Sequence, residues 1–201
     1  MKGLFIAALL MASFSANAVE DKEIATCAAE TNSVLRLACF DSLAERHSLA
    51  PSTQVATATD GAGEWIVRTK TDPLNDKSIY TASLFASSGM GKYGDPIALS
   101  VRCANNKTEM YINWASYLGR GTIRTSHRID KEKAITNSWD ISTDGKAAFH
   151  PGSPIGTLKR LVASTSFVAN LTPYNENPIT AVFETAGADV ALAEIRKGCN
   201  W

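Results

Sequence analysis

Between Glu20 and His47 apolar side chains recur every three to four positions, at Ile24, Ala28, Val34, Leu35, Ala38 and Leu43. That is the spacing of a helix with one buried stripe. The polar triplet Thr31-Asn32-Ser33 interrupts the run and offers capping groups for a second helix, so residues 19–47 are expected to form a helical hairpin. The pattern then vanishes. Residues 48–63 (SLAPSTQVATATDGAG) are rich in Ser, Thr, Ala and Gly and carry the single charge of Asp60, the composition of a flexible linker.

From Glu64 onward the apolar period is two. Alternating runs predict strands at Trp65/Val67, 79–85, 97–101 and Met110/Ile112/Trp114, with further strands at 122–129, 135–142, 147–150, 167–172 and 179–185. Turn formers separate them: Asp72-Pro73 with Asn75-Asp76, Asn105-Asn106-Lys107, and a predicted loop at Ser87-Ser88-Gly89-Met90-Gly91. Helical spacing returns in 154–164, with Pro in the first turn, and in 187–197, which stops at Gly198. The expected fold of residues 64–201 is mainly β, an antiparallel β-sandwich or strongly curved sheet. Short helices and a C-terminal helix complete it.

The N-terminus has a different character. Lys2 precedes an apolar run from Leu4 to Met11, and Ala16-Asn17-Ala18 forms a small-x-small cleavage site, so residues 1–18 read as a signal peptide. The apolar run is about half of the roughly 20 residues that span a bilayer, and Glu20 and Asp21 follow it. The first cysteine, Cys27, lies beyond the charged stretch that follows the apolar run, which argues against a lipid anchor. The expectation is an exported, periplasmic protein with no stable membrane insertion after signal cleavage. Across 201 residues, 20 Lys and Arg balance 20 Asp and Glu. This provides no global field to hold nucleic acid.

An oxidising compartment favours disulfides over metal ligation, and four cysteines allow three pairings. Cys27 and Cys39 lie in the helical segment, Cys103 ends a strand run, and Cys199 sits near the end of the chain. Pairing within each region is the economical choice. In the chain-entropy view the short loop is worth roughly 3 kcal/mol and the long one between about 4 and 5. No Cys-x-x-Cys or Cys/His cluster stands at zinc spacing.

Catalytic signatures are sparse. His47, His127 and His150 fall in three separate elements, and His127 reads as a strand-surface histidine within Ile123, Thr125, His127 and Ile129. Gly152-Ser153-Pro154-Ile155-Gly156 places Pro where a nucleophile elbow needs Ser, and Gly119-Arg120-Gly121-Thr122 lacks the Lys and context of a phosphate loop. Asp72, Asp76, Asp95, Asp140 and Asp144 lie in or near loops, without the spacing of a glycosidase pair. The aromatic residues Trp65, Trp114, Trp139, Tyr80, Tyr111, Tyr117 and Phe183 read as strand residues of a core. Arg120 and Arg124, around a glycine-rich turn, form a possible rim for an acidic partner. No catalytic residue, metal site or cofactor is assigned.

Several motifs occur in an order that resembles a known family. Trp65-Ile66-Val67 is followed by Thr71-Asp72-Pro73-Leu74-Asn75-Asp76, then by Leu99-Ser100-Val101-Arg102-Cys103 and Asn106-Lys107-Thr108-Glu109-Met110-Tyr111-Ile112-Asn113-Trp114. Thr172-Pro173-Tyr174, 178–184 (PITAVFE) and the closing Cys199-Asn200-Trp201 complete the set. Together they resemble the type VI secretion-associated VasI family, also called TagO or EvfG. The resemblance implies an accessory protein of the secretion apparatus, without an established enzymatic activity. Its partner would be an envelope or secretion-apparatus protein, met by protein-protein contact. Only Arg102, Cys103, Trp114 and Cys199 to Trp201 carry over, as structural matches. The alternative is a cell-wall-directed enzyme or enzyme inhibitor, recognisable by a cleft of converging carboxylates or a histidine with a partner.

Overall fold

The computed structural model describes residues 20–31, 33–47 and 60–201. The predicted signal peptide, and residues 48–59 of the predicted linker, lie outside the described residues. The chain divides into two compact units, a helical pair and a β-rich unit.

The helical pair comprises α1 (Asp21–Ala28) and α2 (Ser33–Arg46). Asp21 and Glu23 occupy the first turn of α1 and Arg46 the last turn of α2, each favourable to the local helix dipole. Cys27 and Cys39 are joined across the pair with a Cα–Cα distance of 5.4 Å. Glu23 reaches the far end of α2, with a carboxylate oxygen 2.7 Å from His47 Nε2 and the other 3.8 Å from Arg46. Bridge and ion pair hold a segment that is too short to be stable through apolar burial alone.

Nine strands form the second unit: β1 (Ile66–Thr71), β2 (Ser78–Met90), β3 (Pro96–Ala104), β4 (Lys107–Asn113), β5 (Thr122–Ile129), β6 (Ile135–Ile141), β7 (Ala147–Phe149), β8 (Ser166–Leu171) and β9 (Ile179–Glu184). Their order is β1-β2-β3-β4-β7-β6-β5-β8-β9, and β9 also pairs with β2. Eight strands therefore close on themselves, with β1 added outside. The domain is an antiparallel barrel, which corrects the expected sandwich. The reason lies in β2: it runs on through the predicted loop at 87–91, with an irregularity between Phe85 and Met90. Its first half pairs with β1, and Ser88 then pairs with Val182 of β9. Gly89, at φ 95°, makes this closure possible, because a Cβ there would overlap the carbonyl oxygen of Thr180.

Alternation then fills the interior. Leu84, Ile97, Leu99, Val101, Met110, Ile112, Trp139, Phe167 and Phe183 are buried, as suits an eight-stranded barrel packed by its own side chains. The helices α3 (Ile155–Leu161), α4 (Ala188–Ala191) and α5 (Ala193–Gly198) add Leu158, Leu161, Ala188, Leu192 and Ile195 to the same core. The predicted helix at 187–197 is thus two short helices, broken at Leu192. Ala62, at the end of the predicted linker, is also part of this core. Cys103 and Cys199 are bonded, fastening the segment after α5 to β3.

Candidate functional site

One end of the barrel gathers four connections. The β4–β5 connection carries Ser116, whose hydroxyl accepts the Lys92 N–H at 2.8 Å, so it is tied to the β2–β3 turn. Leu118 N–H donates to the Gly145 carbonyl at 2.7 Å, which adds the β6–β7 turn. Tyr174 N–H donates to the Tyr117 carbonyl at 3.0 Å, which adds the β8–β9 turn. Lys92 and Glu176 form an ion pair at 3.6 Å across two of these loops. On this braced scaffold Tyr93, Tyr117 and Tyr174 are 82%, 47% and 59% exposed. Tyr117 therefore lies in a loop at the surface, not in a strand of the core, and meets Tyr174 edge-on at 6.0 Å.

Arg120 is exposed in the same β4–β5 connection, between Gly119 and Gly121, both at positive φ. Arg124 is exposed too, but on the outer row of β5, opposite Ser138. Asp144 and Asp72 are occupied within their own turns, Asp144 by Ser142 and the Lys146 N–H, Asp72 by the Leu74 N–H and Asn75. Hydrogen bonds from Ser142 and Lys146 hold the Asp144 carboxyl below its ordinary pKa.

The histidines separate. His47 belongs to the helical pair. His127 is 4% exposed and points into the barrel, which corrects the strand-surface reading. Its ring lies 5.6 Å from Trp139, 5.9 Å from His150 and 5.7 Å from Phe167. Burial, with smaller contributions from the charges of His150 and Arg160, lowers its pKa to about 4, so it is neutral at pH 7. Alternation did mark the face: Thr125, His127 and Ile129 are all buried, and the apolar neighbour at 129 was the available signal.

His150 stands at the edge of an open cleft of about 590 Å³ between β4, β6 and the segment after β7. Its Nε2 is 3.2 Å from Thr157 Oγ1, and its backbone N–H donates to the Met110 carbonyl. Burial lowers the His150 pKa, opposed by the Pro151 carbonyl. Two carboxylates line the cleft. Asp140 was a sequence candidate; Glu109 was missed because it lies within a strand, where alternation marks it only as outward-facing. Lys107 is 2.8 Å from Glu109, which Arg102 also engages. Although burial opposes it, these hydrogen bonds from Lys107 and Arg102, with their charges, hold the Glu109 carboxyl below its ordinary range. Among the described residues no group of three or more His, Cys, Asp or Glu side chains could hold a metal ion.

The profile described as type VI secretion system VasI, EvfG matches residues 26–201. The chain belongs to the VasI family. Its match takes in both cysteines of the helical pair, all of α2 and the barrel, where the motifs that carried the resemblance lie. Among solved structures, invasion associated protein B from Bartonella henselae is similar, with a TM-score of 0.50 at 12% identity over 68% of this chain and 94% of that one. That likeness is one of fold. No curated protein matches the chain. As a VasI-family member the protein is type VI secretion-associated, and this is not a known enzyme family. No described helix is long and apolar enough to cross a membrane.

Proposed function

We propose that this VasI-family protein is exported to the periplasm, with cleavage after Ala18, and acts there by contact with an envelope or secretion-apparatus protein. Two disulfides with no free cysteine among the described residues support an oxidising compartment. The observation that carries the contact reading is the loop end with exposed Tyr93, Tyr117, Tyr174 and Arg120. Tyrosine and arginine dominate protein-contact hot spots, and loops already braced to one another lose little freedom on docking. Arg124, on the strand flank, extends the basic side of this surface as a rim for an acidic partner. The alternative, a cell-wall-directed enzyme or inhibitor, would use the cleft beside His150. Against hydrolysis stands Glu109, committed to Lys107 and Arg102 and therefore a poor proton donor.

Deletion of the gene is expected to lower export of the secreted tube protein. Restoration by a chain carrying Tyr93→Ala, Tyr117→Ala and Arg120→Glu should fail, while its urea midpoint stays near that of the parent. Normal export in the deletion strain overturns the reading. So does glycan hydrolysis by the purified protein that disappears with Asp140→Asn.

A further inference from the structure

The cleft beside His150 is separate in its residues from the loop end, and its lining has a chemistry of its own. Its volume of about 590 Å³ falls within the range of small-molecule sites, roughly 300–1,000 Å³. Across the outer face of β3, β4, β7 and β6 runs a row in register, with Tyr111 opposite Phe149 and Phe149 opposite Asp140. Tyr111 stacks on Phe149 at 4.8 Å and 30°, and Arg102 lies 5.9 Å from the Tyr111 centroid on its other flank. Phe149 is thereby braced from one side as a half-buried apolar surface that borders the cleft.

Around that surface the lining is polar and of both kinds. Glu109 and Asp140 are acceptors, Lys107 is a donor, and Ser153 can be either. Thr108 Oγ1 is buried and has no hydrogen-bond partner among the described residues, although Thr108 lines the cleft and is only 9% exposed. Buried polar atoms without partners are rare in folded proteins, and one on a cleft wall marks a surface suited to a ligand that brings its own hydroxyls.

The charge balance narrows the class. A phosphate or other anion would face both Glu109 and Asp140, with Lys107 already paired to Glu109. A bare metal ion lacks a ligand set among the described residues. An apolar ligand would bury these polar groups unpaired. A sugar ring satisfies all three conditions: it is uncharged, its hydroxyls both donate and accept, and its C–H face packs on an aromatic ring.

We propose that this cleft binds a saccharide, with Phe149 beneath the sugar face and Asp140, Lys107, Ser153 and Thr108 meeting its hydroxyls. The site is independent of the partner surface and implies no bond cleavage.

The test is an amide chemical-shift titration of the intact chain, both bridges oxidised, with chitotriose and maltotriose as probes and inorganic phosphate and dialanine as controls. Saturable shifts from at least one trisaccharide, confined to residues 106–110, 140 and 149–155, are expected. Asp140 is exposed, so Asp140→Asn should leave the remaining spectrum unchanged while weakening the trisaccharide at least tenfold. Phe149→Leu should weaken it similarly, and Arg120→Glu should not. The proposal is overturned by the absence of saturable shifts with both trisaccharides, by equal or stronger response to phosphate or dialanine, or by binding that Asp140→Asn leaves intact.

Discussion

The ring of Tyr80 lies against Gly198 so closely that a methyl group built on that glycine would stand 2.6 Å from Tyr80 Cε2 and 3.5 Å from Cys103 Sγ. The last residue of α5 is therefore seated in a space that β2 and the Cys103–Cys199 bridge leave only for a hydrogen atom. Gly198→Ala should cost about 1–3 kcal/mol through overpacking, read as a lower urea midpoint at unchanged slope. A midpoint equal to that of the parent would show that the ring moves aside freely.

The bridge itself spans 96 residues of sequence. On the chain-entropy view, Cys199→Ser should remove between about 4 and 5 kcal/mol, more than the roughly 3 kcal/mol of Cys39→Ser, whose loop spans 12 residues. Urea unfolding of the two variants, each paired with alkylation of the freed thiol, makes the comparison. An equal loss in both would refute the ranking by loop length.

Acid should weaken the barrel before any carboxylate titrates. The folded-state pKa of His127, about 4, lies below the ordinary 6.5, so the unfolded chain takes up the proton more readily. This stabilisation is complete above pH 6.5 and is lost as the pH falls from there towards 4. Between pH 7 and pH 5 the loss from His127 alone should be about 2 kcal/mol. His150, lowered by burial, contributes with the same sign. His127→Phe keeps the ring among Trp139 and Phe167 and should flatten the dependence; a variant that retains the full slope would assign it elsewhere.

Residues 48–63 are proposed as a linker between two independently folded units. Limited proteolysis should cut first between 48 and 59, because Ala62 is 1% exposed and already part of the barrel core. First cleavage within β3 or β4 would contradict that boundary.

Much of the barrel was legible because alternation is a local property. Leu99, Val101, Met110, Ile112, Phe167 and Ala169 announce both strand and inward face, and Asn105-Asn106, both at positive φ, mark the β3–β4 hairpin. Closure was not legible. Whether β2 meets β9 depends on a register between Ser88 and Val182, far apart in sequence, and on Gly89, which reads as a loop residue when seen alone. The loop end was half visible: Arg120 drew attention, but Tyr93 and Tyr174 sit in short turns whose convergence follows from strand order. The cleft was missed for the same reason. Its two carboxylates, Glu109 and Asp140, belong to β4 and β6, which come together only because β7 is inserted between them.

The spacing of the two bridges also sets an order of events. On the proposed export route, a chain delivered N-terminus first would bring Cys27 and Cys39 out together, and they could join before Cys103 arrives. Cys103 must then remain a lone thiol while β4 to β9 and all three later helices follow it, since Cys199 comes 96 residues behind. Early closure of the short loop removes the two thiols that could capture Cys103 wrongly, so timing reduces three possible pairings to one. A pulse-labelled chain should accordingly pass through a single-bridge form containing the Cys27–Cys39 link, and loss of Cys39 should leave mixed Cys27–Cys103 species in its place.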